Sequence, residues 1–324
     1  MERRLLLAIV LTFIVLTAYQ WLVPMSQEPP AARPTAAAEP PAAQPPGAAE
    51  SPSGAQAPTV TTPPALAPVE IVRADTAERT ITVENGLVRA VFSNRGAVLS
   101  AWQLMQYQGP GGRLVDLVPH DVPVNQPKPF SLKLDDAATT ARMSTALFAI
   151  AGDGGPLSAA SSSLDARRAP VTLSFEYQDA AGLHARKQFR IEPNSYVVTF
   201  SANVTDAGRA INPTIQWGPG LGDVLAIGGG GAFVAVRKAE AIFSIAGDVE
   251  RIQSAALLET PTYQGSYEFA GVDTHYFMSV VMQPGSAEAT YSPLSIPAAG
   301  SDPPVARDYI GYDIRFTASP DGPS

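Results

Sequence analysis

The feature that most constrains this chain is an uncharged, apolar run near its start, at residues 5–23. At about 1.5 Å per residue, roughly 19 residues form a helix just under 30 Å long, which matches the hydrocarbon core of a bilayer. The run therefore predicts a membrane-spanning helix. The side chains predicted to anchor it are Leu5, Ile9, Phe13, Leu16, Tyr19, Trp21 and Val23.

The charges around this run predict its orientation. Arg3 and Arg4 stand directly before it, and the next basic residue is Arg33. Because basic residues are enriched on the cytoplasmic side of a span, the N-terminus is predicted to be cytoplasmic and everything after the run to lie across the membrane. Tyr19 and Trp21 suit the outer interface, where an amphipathic ring keeps its polar tip among headgroups.

A cleaved secretory signal is the alternative interpretation of the same run. The run is longer than the usual 7 to 15 apolar residues of such a signal. Residues 24–26 (PMS) do not form a small-residue cleavage site, whereas residues 36–38 (AAA) do but lie far downstream. The pattern favours a retained anchor, and a cleaved signal stays open.

Residues 24–68 predict a linker. More than half of them are proline or alanine, and the only aliphatic side chains larger than alanine are Met25, Val60 and Leu66. Such a segment buries too little apolar surface to offset the entropy of ordering it. We expect an extended tether between the anchor and a domain at residues 69–324.

Composition excludes several classes of function. A net charge of −8 argues against nucleic acid, which binds basic surfaces. There is no cysteine, so neither a disulfide nor a thiolate metal site can form. His120, His184 and His275 are far apart and belong to no metal-binding motif. We therefore predict no catalytic residue, no cofactor, no metal and no enzymatic activity.

The domain has the pattern of antiparallel β-structure. Apolar residues alternate with polar ones at 80–83 and 87–92, around the hairpin signal Asn85-Gly86, and again at 171–178 and 196–204. Further strands are predicted at 211–217, 233–236, 241–245, 267–270, 276–282 and 309–316, and short helices at 137–148 and 252–258. This pattern predicts a mainly β fold, an antiparallel sandwich of two large sheets. The residues predicted to be largely buried are Trp102, Phe175, Tyr196, Phe200 and Phe277.

The order of these parts resembles the N-terminal half of the bacterial YidC membrane protein insertases. The resemblance is carried by the opening residues 2–9 (ERRLLLAI), the apolar run and the linker. It continues in short motifs of the domain: residues 82–88 (TVENGLV), 94–99 (NRGAVL), 102–104 (WQL) with Tyr107, 114–119 (LVDLVP), 187–189 (KQF), 194–198 (NSYVV) and 271–277 (GVDTHYF).

The resemblance implies an inner-membrane protein whose periplasmic domain has a β-supersandwich fold, similar in shape to galactose mutarotases. It also implies a non-enzymatic insertase or chaperone component, with nascent inner-membrane proteins, the Sec translocon and the lipid bilayer as partners. Insertases of this family carry further spans after the periplasmic domain. Because no second apolar run of about 18 residues occurs before Ser324, we expect this chain to supply only the anchor and the periplasmic domain.

The second hypothesis is a periplasmic carbohydrate-binding or mutarotase-like domain, because one fold serves many functions. Opening a sugar ring requires a general acid and a general base facing the sugar. The candidates are His275 or His184 with Glu268 or Glu176, although their spacing does not favour any pairing.

Overall fold

The computed structural model describes residues 71–222, 238–297 and 306–317. No helix within these ranges is both long and apolar enough to cross a bilayer. The predicted anchor at 5–23, the predicted linker at 24–68 and the predicted strand at 233–236 lie outside the described residues.

The described chain is built mainly of antiparallel β-strands, as the alternating pattern predicts. Both predicted helices are present, as α1 (Ala137–Thr145) and α2 (Ser254–Glu259). The start of α1 is fixed by Asp136, whose Oδ2 accepts a hydrogen bond of 2.6 Å from the Thr139 amide. The strands, in chain order, are β1 (Ile71–Arg73), β2 (Thr80–Glu84), β3 (Val88–Ser93), β4 (Val98–Gln108), β5 (Leu114–Asp116), β6 (Ser131–Lys133), β7 (Ala149–Gly152), β8 (Gly155–Pro156), β9 (Ser163–Asp165), β10 (Val171–Asp179), β11 (His184–Ile191), β12 (Val198–Asp206), β13 (Arg209–Ile211), β14 (Thr214–Trp217), β15 (Glu240–Ile245), β16 (Asp248–Gln253), β17 (Thr262–Asp273), β18 (Met278–Pro297) and β19 (Ala306–Phe316).

The strands form three hydrogen-bonded sheets rather than the two that we predicted. One seven-stranded sheet has the order β13-β12-β11-β10-β7-β8, with β1 also paired to β10, and the other has the order β16-β15-β17-β18-β19-β14-β6. The third sheet has five strands in the order β5-β4-β3-β2-β9, and its β9 runs parallel to β2. Period-2 alternation locates strands but does not say which strands pair, so the third sheet was not predicted.

Aromatic side chains connect the three sheets through one core. The ring of Phe92 on β3 lies 4.7 Å from that of Phe189 on β11. Phe189 contacts Phe130 at 5.1 Å, and Phe130 contacts Trp217 on β14 at 5.4 Å. Trp217 stacks on Tyr312 of β19 at 6.2 Å. Phe92 and Phe189 thus join the five-stranded sheet to one seven-stranded sheet, and Phe130, which directly precedes β6, joins Phe189 to Trp217 of the other.

The burial predictions are confirmed for two of five residues. Trp102 and Phe175 are buried, whereas Phe200 and Phe277 are half-buried. The prediction for Tyr196 is wrong, because 46 % of this residue is exposed. Tyr196 continues the apolar alternation of β12, but it precedes the first paired residue, Val198, and lies in the loop between β11 and β12.

Two further predicted strands differ in their bounds. The predicted strand at 211–217 is divided into β13 and β14, and the residues between them are Asn212 and Pro213. Proline lacks the amide hydrogen that a continuous ladder would need. The predicted strand at 276–282 begins later, at Met278, because residues 274–277 form the turn between β17 and β18.

Asn85 fixes the turn of the predicted β2–β3 hairpin to another sheet. Its Oδ1 accepts hydrogen bonds from the amides of Leu87 and Val88, at 3.1 and 2.9 Å. Its Nδ2 donates to the carbonyl oxygens of Glu192 and Ser195, at 3.0 and 2.6 Å. The side chain is buried and all of these groups are satisfied, so Asn85 holds the hairpin against the β11–β12 loop.

We expect Asn85→Ala to lower the free energy of unfolding by about 2 kcal/mol, because it leaves buried amide and carbonyl groups without partners. The matched control is Asn203→Ala, since Asn203 is exposed on β12 and its loss should change the free energy by less than about 0.5 kcal/mol. Urea unfolding followed by circular dichroism measures both. Equal midpoints for the two variants would show that Asn85 does not hold the turn.

Candidate functional site

A cleft of about 970 Å³ lies between β1 and α1. We call it the β1–α1 cleft. Its walls are mostly apolar, and its lining also includes a basic group, a phenol and the carboxylate of Asp75, which pairs with Arg79 at 2.6 Å. The lining residues that matter below are Ile71, Val72, Arg142, Thr145, Leu147 and Tyr177.

The strand side of the cleft is an edge strand. Within the described ranges β1 pairs only with β10, where Ile71 stands opposite Asp179. The other edge of β1 therefore keeps backbone donors and acceptors that no described strand uses. Ile71 and Val72 are 58 % and 61 % exposed, which is unusual for large aliphatic residues in a strand.

The helix side contributes a buried ion pair. Nε of Arg142 on α1 lies 3.6 Å from Oδ2 of Asp179, whose side chain is fully buried. Asp179 also accepts hydrogen bonds from the Tyr177 hydroxyl at 3.3 Å and from the Leu183 amide at 3.1 Å. Burial, followed by the negative charge of Asp179, raises the pKa of Tyr177, so the phenol stays protonated at neutral pH.

This arrangement suits binding better than catalysis. Asp179 already accepts two hydrogen bonds and forms an ion pair with Arg142, so it orients Arg142 rather than acting as a free base. The Arg142 side chain lines the cleft and remains 23 % exposed, although its Nε is buried. An extended peptide can use the free edge of β1 for backbone hydrogen bonds and the apolar walls for its side chains.

The structure brings one predicted histidine–carboxylate pair together, but not in a cleft. His184 Nε2 lies 3.1 Å from Glu176 Oε1, while Arg73 Nε lies 3.1 Å from the other oxygen of Glu176. His184 and Glu176 lie on the face of their sheet opposite to Tyr177, and neither lines the β1–α1 cleft.

The other candidate pairing is not formed. His275 is exposed in the β17–β18 turn and has no carboxylate within ion-pair distance among the described residues. Glu268 instead accepts a hydrogen bond of 2.9 Å from the Ser244 hydroxyl. The third histidine, His120, contacts Asp116 at 2.9 Å. No group of three or more metal-ligating side chains occurs in the part of the chain that the structure describes.

Sequence reasoning missed the groups that shape the cleft. Arg142 lies on a helix predicted only from composition, and Asp179 reads as a polar residue at the end of a strand. The one local signal is that Asp179 continues the inward-facing positions of Phe175 and Tyr177, which places a carboxylate on an apolar face. The predicted anchor residues and the topology residues Arg3 and Arg4 lie outside the described residues.

Comparison with known proteins supplies the family. A family model described as the YidC periplasmic domain matches residues 80–297, about two thirds of the chain. A search of curated proteins found no matching relative. The matched range includes α1 and most of all three sheets. The chain therefore belongs to the YidC periplasmic domain family.

Proposed function

We propose that this chain is the anchored periplasmic part of a bacterial inner-membrane insertase. In this role it assists the insertion and folding of nascent inner-membrane proteins, with or without the Sec translocon, and performs no enzymatic reaction. The family match over residues 80–297 carries the proposal. The uncharged run at 5–23 and the tether predicted at 24–68 support a domain held at the periplasmic face of that membrane. The same family assignment supports the supersandwich arrangement of the sheets.

The β1–α1 cleft is the part of the domain best suited to contact an unfolded segment. A segment of a membrane protein is apolar and its backbone needs partners until it forms a helix. The free edge of β1 offers such partners, and Ile71, Val72 and Leu147 offer apolar contact.

Site-specific photocrosslinking in cells that express the full chain tests this function. A photoreactive amino acid at Val72 or Thr145, on opposite sides of the cleft, should crosslink to nascent inner-membrane proteins or to Sec translocon subunits. The same amino acid at Arg190, which is exposed on β11 away from the cleft, is the control and should give several-fold less product. Equal yields at all three positions would show that the cleft is not the contact site. No products at any position would contradict the proposed function.

Sugar binding or mutarotation has weaker support. Of the histidine–glutamate pairings predicted for this function, the described residues form His184–Glu176 alone, and Arg73 occupies the second oxygen of Glu176. A titration with aldoses, followed by nuclear magnetic resonance of the anomeric protons, should therefore show neither binding nor accelerated anomer exchange.

A further inference from the structure

Three distant segments bring aromatic rings together at one end of the domain. Tyr107 lies near the end of β4, Tyr196 in the β11–β12 loop and Phe277 in the β17–β18 turn. The rings of Tyr107 and Phe277 meet edge to face at 5.7 Å. Burial raises the pKa of the Tyr196 hydroxyl, and the nearby Tyr107 raises it further. These two tyrosines are therefore close to each other. The Asn85 turn ties this loop to the β2–β3 hairpin.

These segments expose an unusual amount of apolar surface. We define the aromatic tip as Tyr107, Tyr196, Val197, Tyr276 and Met278, which are 44 %, 46 %, 47 %, 45 % and 56 % exposed. Single exposed apolar residues are common, but five in adjoining turns and strand ends are not. None of them lines the β1–α1 cleft, so the cleft does not account for their exposure.

Three acidic groups that border the aromatic tip are each paired with an arginine. Glu84 pairs with Arg89 at 2.7 Å, and Asp273, next to the β17–β18 turn, pairs with Arg251 at 2.8 Å. Glu192, in the same loop as Tyr196, pairs with Arg190 at 2.8 Å. This balance contrasts with the net charge of −8 of the whole chain.

One basic group at this end has no acidic partner. Arg113, six residues after Tyr107, is exposed and forms no ion pair within the described ranges. Among these three ion pairs and Arg113, positive charge is thus in slight excess. Such a border does not repel the negative surface of a phospholipid membrane, as an uncompensated acidic border would.

We propose that the aromatic tip docks on the lipid bilayer, with its tyrosine rings at the depth of the headgroups. Tyrosine suits this depth because its ring is apolar and its hydroxyl stays hydrated. The surface consists of turns and strand ends rather than a groove, which fits a broad lipid surface better than a peptide. The proposal rests on the proposed function only for its placement of the domain beside a membrane.

The contact would give the domain a defined orientation. The linker predicted at residues 24–68 does not by itself select which side of the domain faces the membrane. The aromatic tip would select that side.

The absence of native cysteine allows a direct test in the full chain. Met278→Cys, labelled with an environment-sensitive fluorophore, is reconstituted in vesicles of phosphatidylcholine and phosphatidylglycerol that carry bromine on their acyl chains. The control is Ala210→Cys on β13, because residue 210 is exposed and pairs with Thr205, towards the end of β12 that lies away from the Tyr196 loop. The nine residues of β12 span roughly 30 Å. We expect bromine to quench the label at 278 at least threefold more than the label at 210.

A second variant tests whether quenching at residue 278 depends on the tyrosines of the aromatic tip. Adding Tyr107→Ser and Tyr196→Ser should reduce quenching at 278 by half or more while leaving the melting temperature within a few degrees, because both residues are nearly half exposed and neither belongs to the buried core. Equal quenching at 278 and 210 overturns the proposal. Weak quenching at 278 together with polypeptide crosslinks from Tyr276 in cells also overturns it, in favour of a protein partner. Strong quenching without crosslinks from the β1–α1 cleft instead overturns the proposed function and keeps the lipid contact.

Discussion

Lys187→Met is expected to lower the free energy of unfolding by about 3 kcal/mol near pH 7. Lys187 is 1 % exposed on the inner face of β11, and its Nζ donates to three carbonyl oxygens, those of Gly96, Ala97 and Phe130, at 2.7, 3.1 and 2.8 Å. Methionine has a similar length but cannot donate, so these carbonyls lose their partner at about 1 kcal/mol or more each. Removing the buried charge offsets part of this loss, which is why the expected value is not larger.

The pH dependence of stability distinguishes the role of the amine from simple packing. Burial lowers the pKa of Lys187 to about 7, whereas a lysine in the unfolded chain titrates near 10.4. Between these values the unfolded state binds more protons than the folded state, so raising the pH stabilises the fold. The wild type should gain up to about 1.4 kcal/mol per pH unit from pH 7 towards pH 10, and Lys187→Met should lack this gain.

The gain should end near pH 10 because tyrosines then act in the opposite direction. Burial raises the pKa values of Tyr267 and Tyr309 to about 12, so the folded state keeps protons that the unfolded state loses. Urea titrations at several pH values measure the whole profile. Lys133→Met, at an exposed position on β6, is the control and should keep the wild-type slope. An unchanged midpoint and slope for Lys187→Met would contradict the role given to the buried amine.

The strands were predictable where alternation and turn signals agree. In β10, Leu173, Phe175 and Tyr177 are buried and the residues between them are not, as period-2 alternation requires. Asn85-Gly86 marks the β2–β3 turn, and Gly86 has a φ of +95°, which glycine adopts without strain. Each of these features depends on residues that are neighbours in sequence.

The β1–α1 cleft and the aromatic tip depend on contacts between distant residues. Ile71 meets Asp179 through strand pairing, and Tyr107 meets Phe277 through folding of separate sheets. No spacing in the sequence encodes either contact. Lys187 lies between these cases, because Ala185, Phe189 and the lysine share one face of β11. A lysine within an alternating apolar face is a signal of a buried amine, whereas its acceptors can be named only from the structure.

Gly271→Ala is expected to be as damaging as the loss of the buried amine, although it adds only one methyl group. Gly271 lies on β17, between Ile242 of β15 and Val280 of β18. A Cβ at this position would overlap the Ser279 carbonyl oxygen and lie 2.7 Å from the Val280 Cα. Both atoms belong to the backbone, so no side chain can rotate away, and β15 blocks movement of β17 in the other direction. We expect a loss of about 3 kcal/mol or more.

A second glycine of the same strand provides the matched control. At Gly265 the nearest atom to an added Cβ is the terminal methyl of Ile245, at 2.7 Å, and that side chain can change rotamer. Gly265→Ala should therefore cost less than about 1 kcal/mol, since alanine also restricts the unfolded chain. Urea unfolding of both variants measures the difference. Equal urea midpoints for Gly271→Ala and Gly265→Ala would show that the close backbone contact at Gly271 does not determine the stability of the β17–β18 pairing. If they separate as expected, the pairing that carries the β17–β18 turn, and with it Tyr276, depends on a glycine at position 271.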